Sequence, residues 1–510
     1  MNKKEIPANQ LNKKKGFLGF VERVGNALPH PASLFGILAL SVLLLSWIGS
    51  MLGWGAVHPA TGEYVEVDNL LSRGGLHRIL LEMVSNYTGF APLGIVMVAM
   101  LGIGIAESSG LISAGVRSLV VGAPKKLLTF IVVFTGVLSN VASDLGYLLI
   151  IPIAGTIFLS VGRHPIAGMA AAFAGVSGGF SANIIIGTID PLLAGLSTEA
   201  AHIIDPEYYV MPTANYYFMA ASAVIVTLIA TWVTDKWIEP RLGAYKGDVS
   251  PEPIEKLTPV EKKGLRRVGY AFLVWVAIFA VCLIPKNGIL RADDGSVLGS
   301  PVLKGFISVL FVVVGSLGIV YGFVTKKFKS DADVVRGMSD GLKGLISFLV
   351  LVFFAAQFVA WFKWSNLGLV LAIGGANWLN AINIGTIPLI ILFILFAAFL
   401  NMFMGSASAK WAILAPVFIP MFMLLGYSPE LSQAVYRIGD SITNIISPMM
   451  SFFALIIVYF EKYDKKAGIG TLISTMLPYT VALFIGWTIL IIAWVMIGLP
   501  LGPGAGLYYP

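Results

Sequence analysis

The chain has 510 residues, of which 57% are apolar and only 12% charged, with a formal net charge of +7. Soluble globular proteins carry roughly 25% charged residues, so the excess apolar surface needs lipid as its solvent, which excludes a soluble enzyme and a disordered chain. The Lys and Arg lie in connections between hydrophobic runs, a pattern that orients membrane proteins and argues against a nucleic-acid partner.

Residues 1–30 read as a cytoplasmic N-terminal segment, because Lys3, Lys4, Lys13, Lys14, Lys15 and Arg23 precede the first long apolar run at 34–54. That run exceeds a signal-peptide core and lacks a small-residue cleavage site, so it is a retained helix. A second helix is predicted over 90–106, and Arg117, Lys125 and Lys126 then mark the cytoplasmic side. The first half extends over 31–234 and contains more apolar pieces than two plain crossings use. Residues 127–138 fall short of the ~20 needed to span, and a polar cluster with Ser139, Asn140, Ser143 and Asp144 interrupts them before the chain turns back near Gly162, Arg163, His164 and Pro165. A re-entrant hairpin over 127–161 fits this pattern. The overlong, Gly-rich stretch 166–196 reads as a broken helix crossing outward, and 216–232 returns inward. The basic connection 235–267 is cytoplasmic.

The second half repeats the plan. Scaffold helices occupy 268–362, with Trp361, Trp364 and Trp378 suited to the outer interfacial belt. Residues 386–460 hold a second hairpin with its polar tip at 404–410, followed by another interrupted segment at 431–460. Residues 470–510 form the last helix and an outer tail. The predicted fold is an all-α polytopic membrane protein with about nine transmembrane helices and two re-entrant hairpins. A repeat supports it: Pro152, Gly162 and Pro165 recur with the same spacing at Pro416, Gly426 and Pro429, and Asn183-Ile184-Ile185 finds a partner in Asn444-Ile445-Ile446. One copy enters from inside and the other from outside. Inverted repeats with broken helices are the architecture of secondary transporters, whose sites lie near the midplane.

Acids and bases embedded in such runs are costly and need a reason. Asp190, in Gly187-Thr188-Ile189-Asp190-Pro191, is a candidate proton or cation site, or else a helix cap. Arg437 and Asp440 are three apart, hence on one helical face, and can pair; alternatively a substrate carboxylate takes Arg437 through a bidentate fork. Asp144 and Lys410 sit at the two hairpin tips, where each can equally be solvated in a vestibule. Asn140, Asn401, Ser406 and Ser408 offer oxygens suited to a hard cation, although capping alone explains any one of them. Gly175-Val176-Ser177-Gly178-Gly179 matches a nucleophile pattern, but the only His after it, His202, falls in an outer connection and no strand–turn–helix context exists, so close helix packing is the better reading. The five His residues are scattered, Cys282 is the single cysteine, and no nucleotide or zinc motif occurs.

Gly405-Ser406-Ala407-Ser408-Ala409-Lys410-Trp411-Ala412-Ile413-Leu414-Ala415-Pro416 and Tyr436-Arg437-Ile438-Gly439-Asp440-Ser441, with Ser143-Asp144, Gly162-Arg163-His164-Pro165 and Glu239-Pro240-Arg241-Leu242-Gly243, resemble the p-aminobenzoyl-glutamate transporter (AbgT) family from about Val21 to the C-terminus. The resemblance implies nine transmembrane helices, two hairpins, and a homodimer with a water-accessible bowl in the bacterial inner membrane, in contact with lipid. It implies no bound cofactor and transport of p-aminobenzoyl-glutamate or p-aminobenzoate-like compounds, in some relatives export of sulfonamides, coupled to Na+ and/or H+. Carried over by motif, Asp190 is the proton-linked acid; Ser408, Trp411, Pro429, Arg437, Asp440 and Pro448 line the substrate path; and Asn401, Gly405 and Asp440 match sodium positions. Lys410 lies where other members can be uncharged. Trp411 offers a face to an aminobenzoyl ring and Arg437 can hold a carboxylate. A carrier of dicarboxylates or other organic anions on the same plan, or a passive channel, is the alternative.

Overall fold

In lipid every backbone N–H and C=O must be satisfied within its own segment, so uncharged apolar runs become helices. The computed structural model describes residues 29–58, 62–121, 124–142, 146–249, 256–297, 299–343 and 345–510. The lysines of the N-terminal segment and Asp144 lie outside the described residues.

Helix α1 (Pro31–Leu52) ends at Gly53, whose φ of 64° closes the helix in the left-handed region. A two-stranded hairpin, β1 (Gly55–Val57) and β2 (Tyr64–Glu66), follows. Helices α2 (Arg73–Thr88) and α3 (Ala91–Ser109) run nearly end to end, and α4 (Leu111–Val121) follows. The first hairpin has arms α5 (Leu128–Leu138) and α6 (Gly146–Ser160). Next come α7 (Pro165–Gly178), a non-helical stretch 179–188, and α8 (Ile189–Ala201). Helix α9 (Tyr216–Leu242) completes the first half. The scaffold of the second half comprises α10 (Pro259–Leu283), α11 (Phe306–Val324), α12 (Asp331–Lys343), α13 (Ile346–Trp364) and α14 (Leu367–Ala381). The second hairpin has arms α15 (Thr386–Asn401) and α16 (Ala407–Leu424); α17 (Pro429–Asn444), α18 (Phe453–Glu461) and α19 (Ile469–Ile497) finish the chain.

Among the described residues eight helical segments are long and apolar enough to cross a membrane. The predicted crossings at 166–196 and 431–460 are not among them, because each is split mid-course into α7 with α8 and α17 with α18. The second arm of the second hairpin, α16, has spanning length instead. Helix α14 was not anticipated: at 15 residues it is short for a span, and it packs on α16. Helix α12 falls inside the predicted scaffold stretch 268–362 but, at 13 residues, is too short to span. It carries Asp331 and Asp333 in its first turn and Lys343 in its last, which complements the helix dipole, and it lies against α3. A Cβ on Gly341 would meet the Gly104 Cα at 2.7 Å, so two backbones meet where only glycines fit.

Helix α3 also packs on α11, and α13 on α1. The other body is built on α17, whose 16 residues are all buried although many are polar. Helix α15 packs along α17, and α16 crosses to α8 of the first half. Each half thus supplies walls to the other, as interlocked inverted repeats require.

Candidate functional site

The breaks create the site. Helix α7 loosens at its end, where the Gly179 N–H donates to the Ala174 carbonyl five residues back at 2.9 Å, and residues 179–188 leave the helix. Gly175 is needed there because a Cβ would strike the Val133 carbonyl of α5. The Gly-Val-Ser-Gly-Gly motif is therefore a packing and breaking device. Ser177 is fully buried with an unpartnered Oγ, while His202 Nε2 faces the Tyr208 carbonyl at 3.0 Å.

Asp190 stands in the first turn of α8, where the helix dipole favours an anion. It is buried, its Oδ2 accepting from the Gly187 N–H at 2.7 Å and from Asn183 Nδ2 at 3.2 Å. Its Oδ1 receives Arg437 Nη2 at 2.5 Å, with side-chain exposures of 6% and 1%. The same Nη2 donates to the Ser181 carbonyl at 3.1 Å. The guanidinium thus fastens the first-half break to α17. Arg437 does not pair with Asp440, as their spacing suggested. Both lie on one face of α17, but Arg437 reaches across to a carboxylate in the other half, and Asp440 has a cation of its own.

That cation is Lys410. Its ammonium meets Asp440 Oδ1 at 2.6 Å, with both side chains 1% exposed, and also donates to Asn401 Oδ1. Lys410 was expected at a tip that can be solvated; instead it sits within the first turn of α16 and points inward. The tip is capped by Ser406, which accepts from the Ala409 N–H at 3.3 Å. Asn401 Nδ2 donates to the Asp440 carbonyl at 2.7 Å, to Asn444 Oδ1 at 2.8 Å and to Thr443 Oγ1 at 3.0 Å. Asp440 Oδ2 is buried without a partner.

The residues expected to hold sodium do not fit one here. The side-chain oxygen of Asn401 and one oxygen of Asp440 are taken by the ammonium. A second unit charge ~4 Å away would be opposed by on the order of 4 kcal/mol at an effective protein dielectric. Gly405 is there for a different reason: a Cβ would collide with the Met449 carbonyl, so the hairpin tip rests directly on the break at 445–452.

Trp411 is fully buried and stacked on Tyr436, with ring centroids 4.5 Å apart, so its faces are not free for a substrate ring in this structure. Its Nε1 donates to Ser197 Oγ at 2.9 Å; Ser197 donates to Gln433 Oε1 at 2.7 Å; and Gln433 Nε2 donates to Asn215 Oδ1 at 2.8 Å. Tyr436 donates to the Ala407 carbonyl at 2.5 Å. This relay was missed by reading the sequence. The signal was present in the run of polar residues 430–444, too polar for lipid and hence enclosed by protein. Pro429 sits at the start of α17, whose cap Ser428 accepts from the Leu431 N–H. Pro448 is half-buried in the second break.

A cavity of about 500 Å3 opens between this body and α3, α12 and α13. Both hairpins reach it, the first through Asn140 and the second through Gly405 and Ser408, and Asn444 joins them. Trp411, Pro429, Arg437, Asp440 and Pro448, expected along the substrate path, do not line it. The wall has aromatic Tyr147, Phe180, Phe348 and Phe452, and none of its lining residues is Lys or Arg. The start of α8 at Thr188 and Ile189 and the start of α16 at Ala407 and Ser408 both border it, bringing two positive dipole ends to one space.

The model of the AbgT transporter family matches residues 16–509. This chain belongs to the AbgT family. It is 39% identical to the p-aminobenzoyl-glutamate transport protein of Escherichia coli over 505 residues, covering 99% of each chain. The crystal structure of the Alcanivorax borkumensis YdaH transporter, described as having an unusual topology, superposes with a TM-score of 0.89 at 47% identity, covering 93% of this chain and 100% of that one. The structure of Neisseria gonorrhoeae MtrF, which illuminates a class of antimetabolite efflux pumps, superposes with a TM-score of 0.91 at 50% identity, covering 96% of this chain and 100% of the other. The AbgT chain is accordingly a multi-pass membrane transporter and not an enzyme. Among the described residues two ion pairs are buried, one joining the halves and one within the second half.

Proposed function

We propose that this transporter carries p-aminobenzoyl-glutamate and p-aminobenzoate-like compounds, including sulfonamide antimetabolites, across the bacterial inner membrane under an ion gradient. The observation that carries the proposal is the cavity between the hairpin tips, in a chain 39% identical to a p-aminobenzoyl-glutamate transport protein. Its volume lies in the ~300–1,000 Å3 range of small-molecule sites. Aromatic walls suit an aminobenzoyl ring, and on a lining with Glu107 and Asp340 but no Lys or Arg, the starts of α8 and α16 receive the carboxylates. Ser408 and Gly405 meet the substrate directly. Trp411, Arg437, Asp440, Pro429 and Pro448 hold the walls behind it, and Asp190 is the proton-linked acid.

The basic connections support a cytoplasmic N-terminus. Helix α10 leaves apolar side chains exposed along its length and packs mainly on α11, which suits a face toward lipid or a second copy in a homodimer. Counterflow of labelled p-aminobenzoyl-glutamate in proteoliposomes tests the reading. Excess p-aminobenzoate or sulfonamide should suppress the signal and succinate or citrate should not; the reverse order would assign the chain to dicarboxylates. Asp190→Asn should abolish accumulation against a gradient in protein that still elutes as the folded species. Normal accumulation in that variant would remove Asp190 from the coupling role.

A further inference from the structure

Deep in the second half, two oxygen-bearing side chains from two different elements converge on one positive charge. Asn401 ends α15, Asp440 belongs to α17 and Tyr436 lies one turn before it, its hydroxyl 3.4 Å from Asp440 Oδ1. A carboxylate and an amide oxygen beside a broken helix, the carboxylate further braced by a tyrosine hydroxyl, form a donor set for a hard monovalent cation. Here the charge is supplied by the chain itself, since the Lys410 ammonium is 2.6 Å from Asp440 Oδ1 and bonded to Asn401 Oδ1.

We infer that Lys410 is a tethered replacement for an alkali cation at this position, so that the chain neither binds nor requires sodium there, and that shortening the side chain converts the cage into a sodium site. Three features support this. The ammonium and a sodium ion carry the same charge and compete for the same oxygens. The cage is fixed independently of Lys410, because Asn401 is held by its Nδ2 bonds to the Asp440 carbonyl, Thr443 and Asn444. Asp440 Oδ2 is buried with no partner, leaving an oxygen that the ammonium does not use and a free ion can. A lysine also differs from sodium in one respect that matters for transport: it cannot leave. A gradient of sodium therefore has nothing to drive at this position, and the cage acts as a constant brace between the hairpin tip and α17.

This inference deepens the reading of the chain as an ion-coupled carrier, and its test is made without substrate so that the two fail separately. The purified protein and Lys410→Ala are melted in detergent in sodium chloride and in choline chloride at matched ionic strength. Wild-type melting should be the same in both salts. Lys410→Ala should be destabilised in choline and recover on the order of 2–5 °C in sodium at about 100 mM, by preferential binding to the folded state. Lys410→Met, which fills the space without a charge, should be destabilised equally in both. A sodium-specific rise in the wild-type melting temperature would overturn the inference, as would Lys410→Ala that responds no more to sodium than Lys410→Met. Should neither variant fold, the wild type alone decides, through direct sodium titration by calorimetry, with no heat of binding expected and saturable heat overturning the inference.

Discussion

The two buried ion pairs differ in kind. Arg437 with Asp190 joins the halves: both carboxylate oxygens are engaged, by the guanidinium, the Gly187 N–H and Asn183. Lys410 with Asp440 lies within the second half and leaves one carboxylate oxygen orphaned. A planar guanidinium presents several donors at fixed angles and suits a directional joint between elements. An ammonium is a compact point charge, close to an ion in its demands. The first pair is thus a clamp and the second a filled cation cage.

Removing the guanidinium is the hardest test of that contrast. Arg437→Met should destabilise the protein by about 3–5 kcal/mol, because Asp190 is left buried and uncompensated. Denaturant or thermal unfolding in detergent reads this. Arg437→Lys should recover only part of it, since one ammonium serves Asp190 and the Ser181 carbonyl less well; full recovery would erase the distinction between the pairs. The Arg437→Met and Asp190→Asn double variant should lose less than the sum of the singles.

Next in size is the relay behind Trp411. Gln433→Ala leaves Ser197 and Asn215 without their shared partner and should cost about 1–3 kcal/mol. Trp411→Phe keeps an aromatic ring on Tyr436 but drops the bond to Ser197, for about 1 kcal/mol. If the two effects are equal, the relay is not centred on Gln433.

Smallest are the effects at the turn between α6 and α7, where Arg163 joins Asp235 at 2.7 Å and also bonds Glu239 and Thr129. These side chains are partly solvated, and Arg163→Ala should cost on the order of 1 kcal/mol or less, shrinking further with salt. Next to it, burial pushes the His164 imidazole below its ordinary 6.5, against the opposing pull of Glu239 and Asp464; Tyr245 packs edge-on to its ring. A base with a depressed folded value binds fewer protons folded than unfolded. The stability it contributes is therefore present above pH 6.5 and lost as pH falls through the folded value. Melting temperature should decline on that acid limb, and His164→Gln should flatten the decline.

Much of the fold was legible because the bilayer leaves few options: uncharged runs must be helices, and Lys and Arg mark one side. Both hairpins follow from polar interruptions at 139–144 and 404–410, and both broken segments from the overlong runs 166–196 and 431–460, within which the structure puts the breaks at 179–188 and 445–452. Helices α12 and α14 escaped, the first because its amphipathic face reads as loop charge, the second because it is short and ends in interfacial tryptophan.

Asp190, Arg437, Asp440 and Lys410 could each be singled out in sequence, since a charge in an apolar run always requires compensation. Which charge compensates which could not. Helical spacing joined Arg437 to Asp440, the nearest choice along the chain. Tertiary packing instead brought α8 to Arg437 and α16 to Asp440, giving each carboxylate its own cation. Sequence thus determined that buried charges exist and must be paired. Only the packing of α8 and α16 on α17 decided the pairs, one between the halves across 247 residues and the other within the second half.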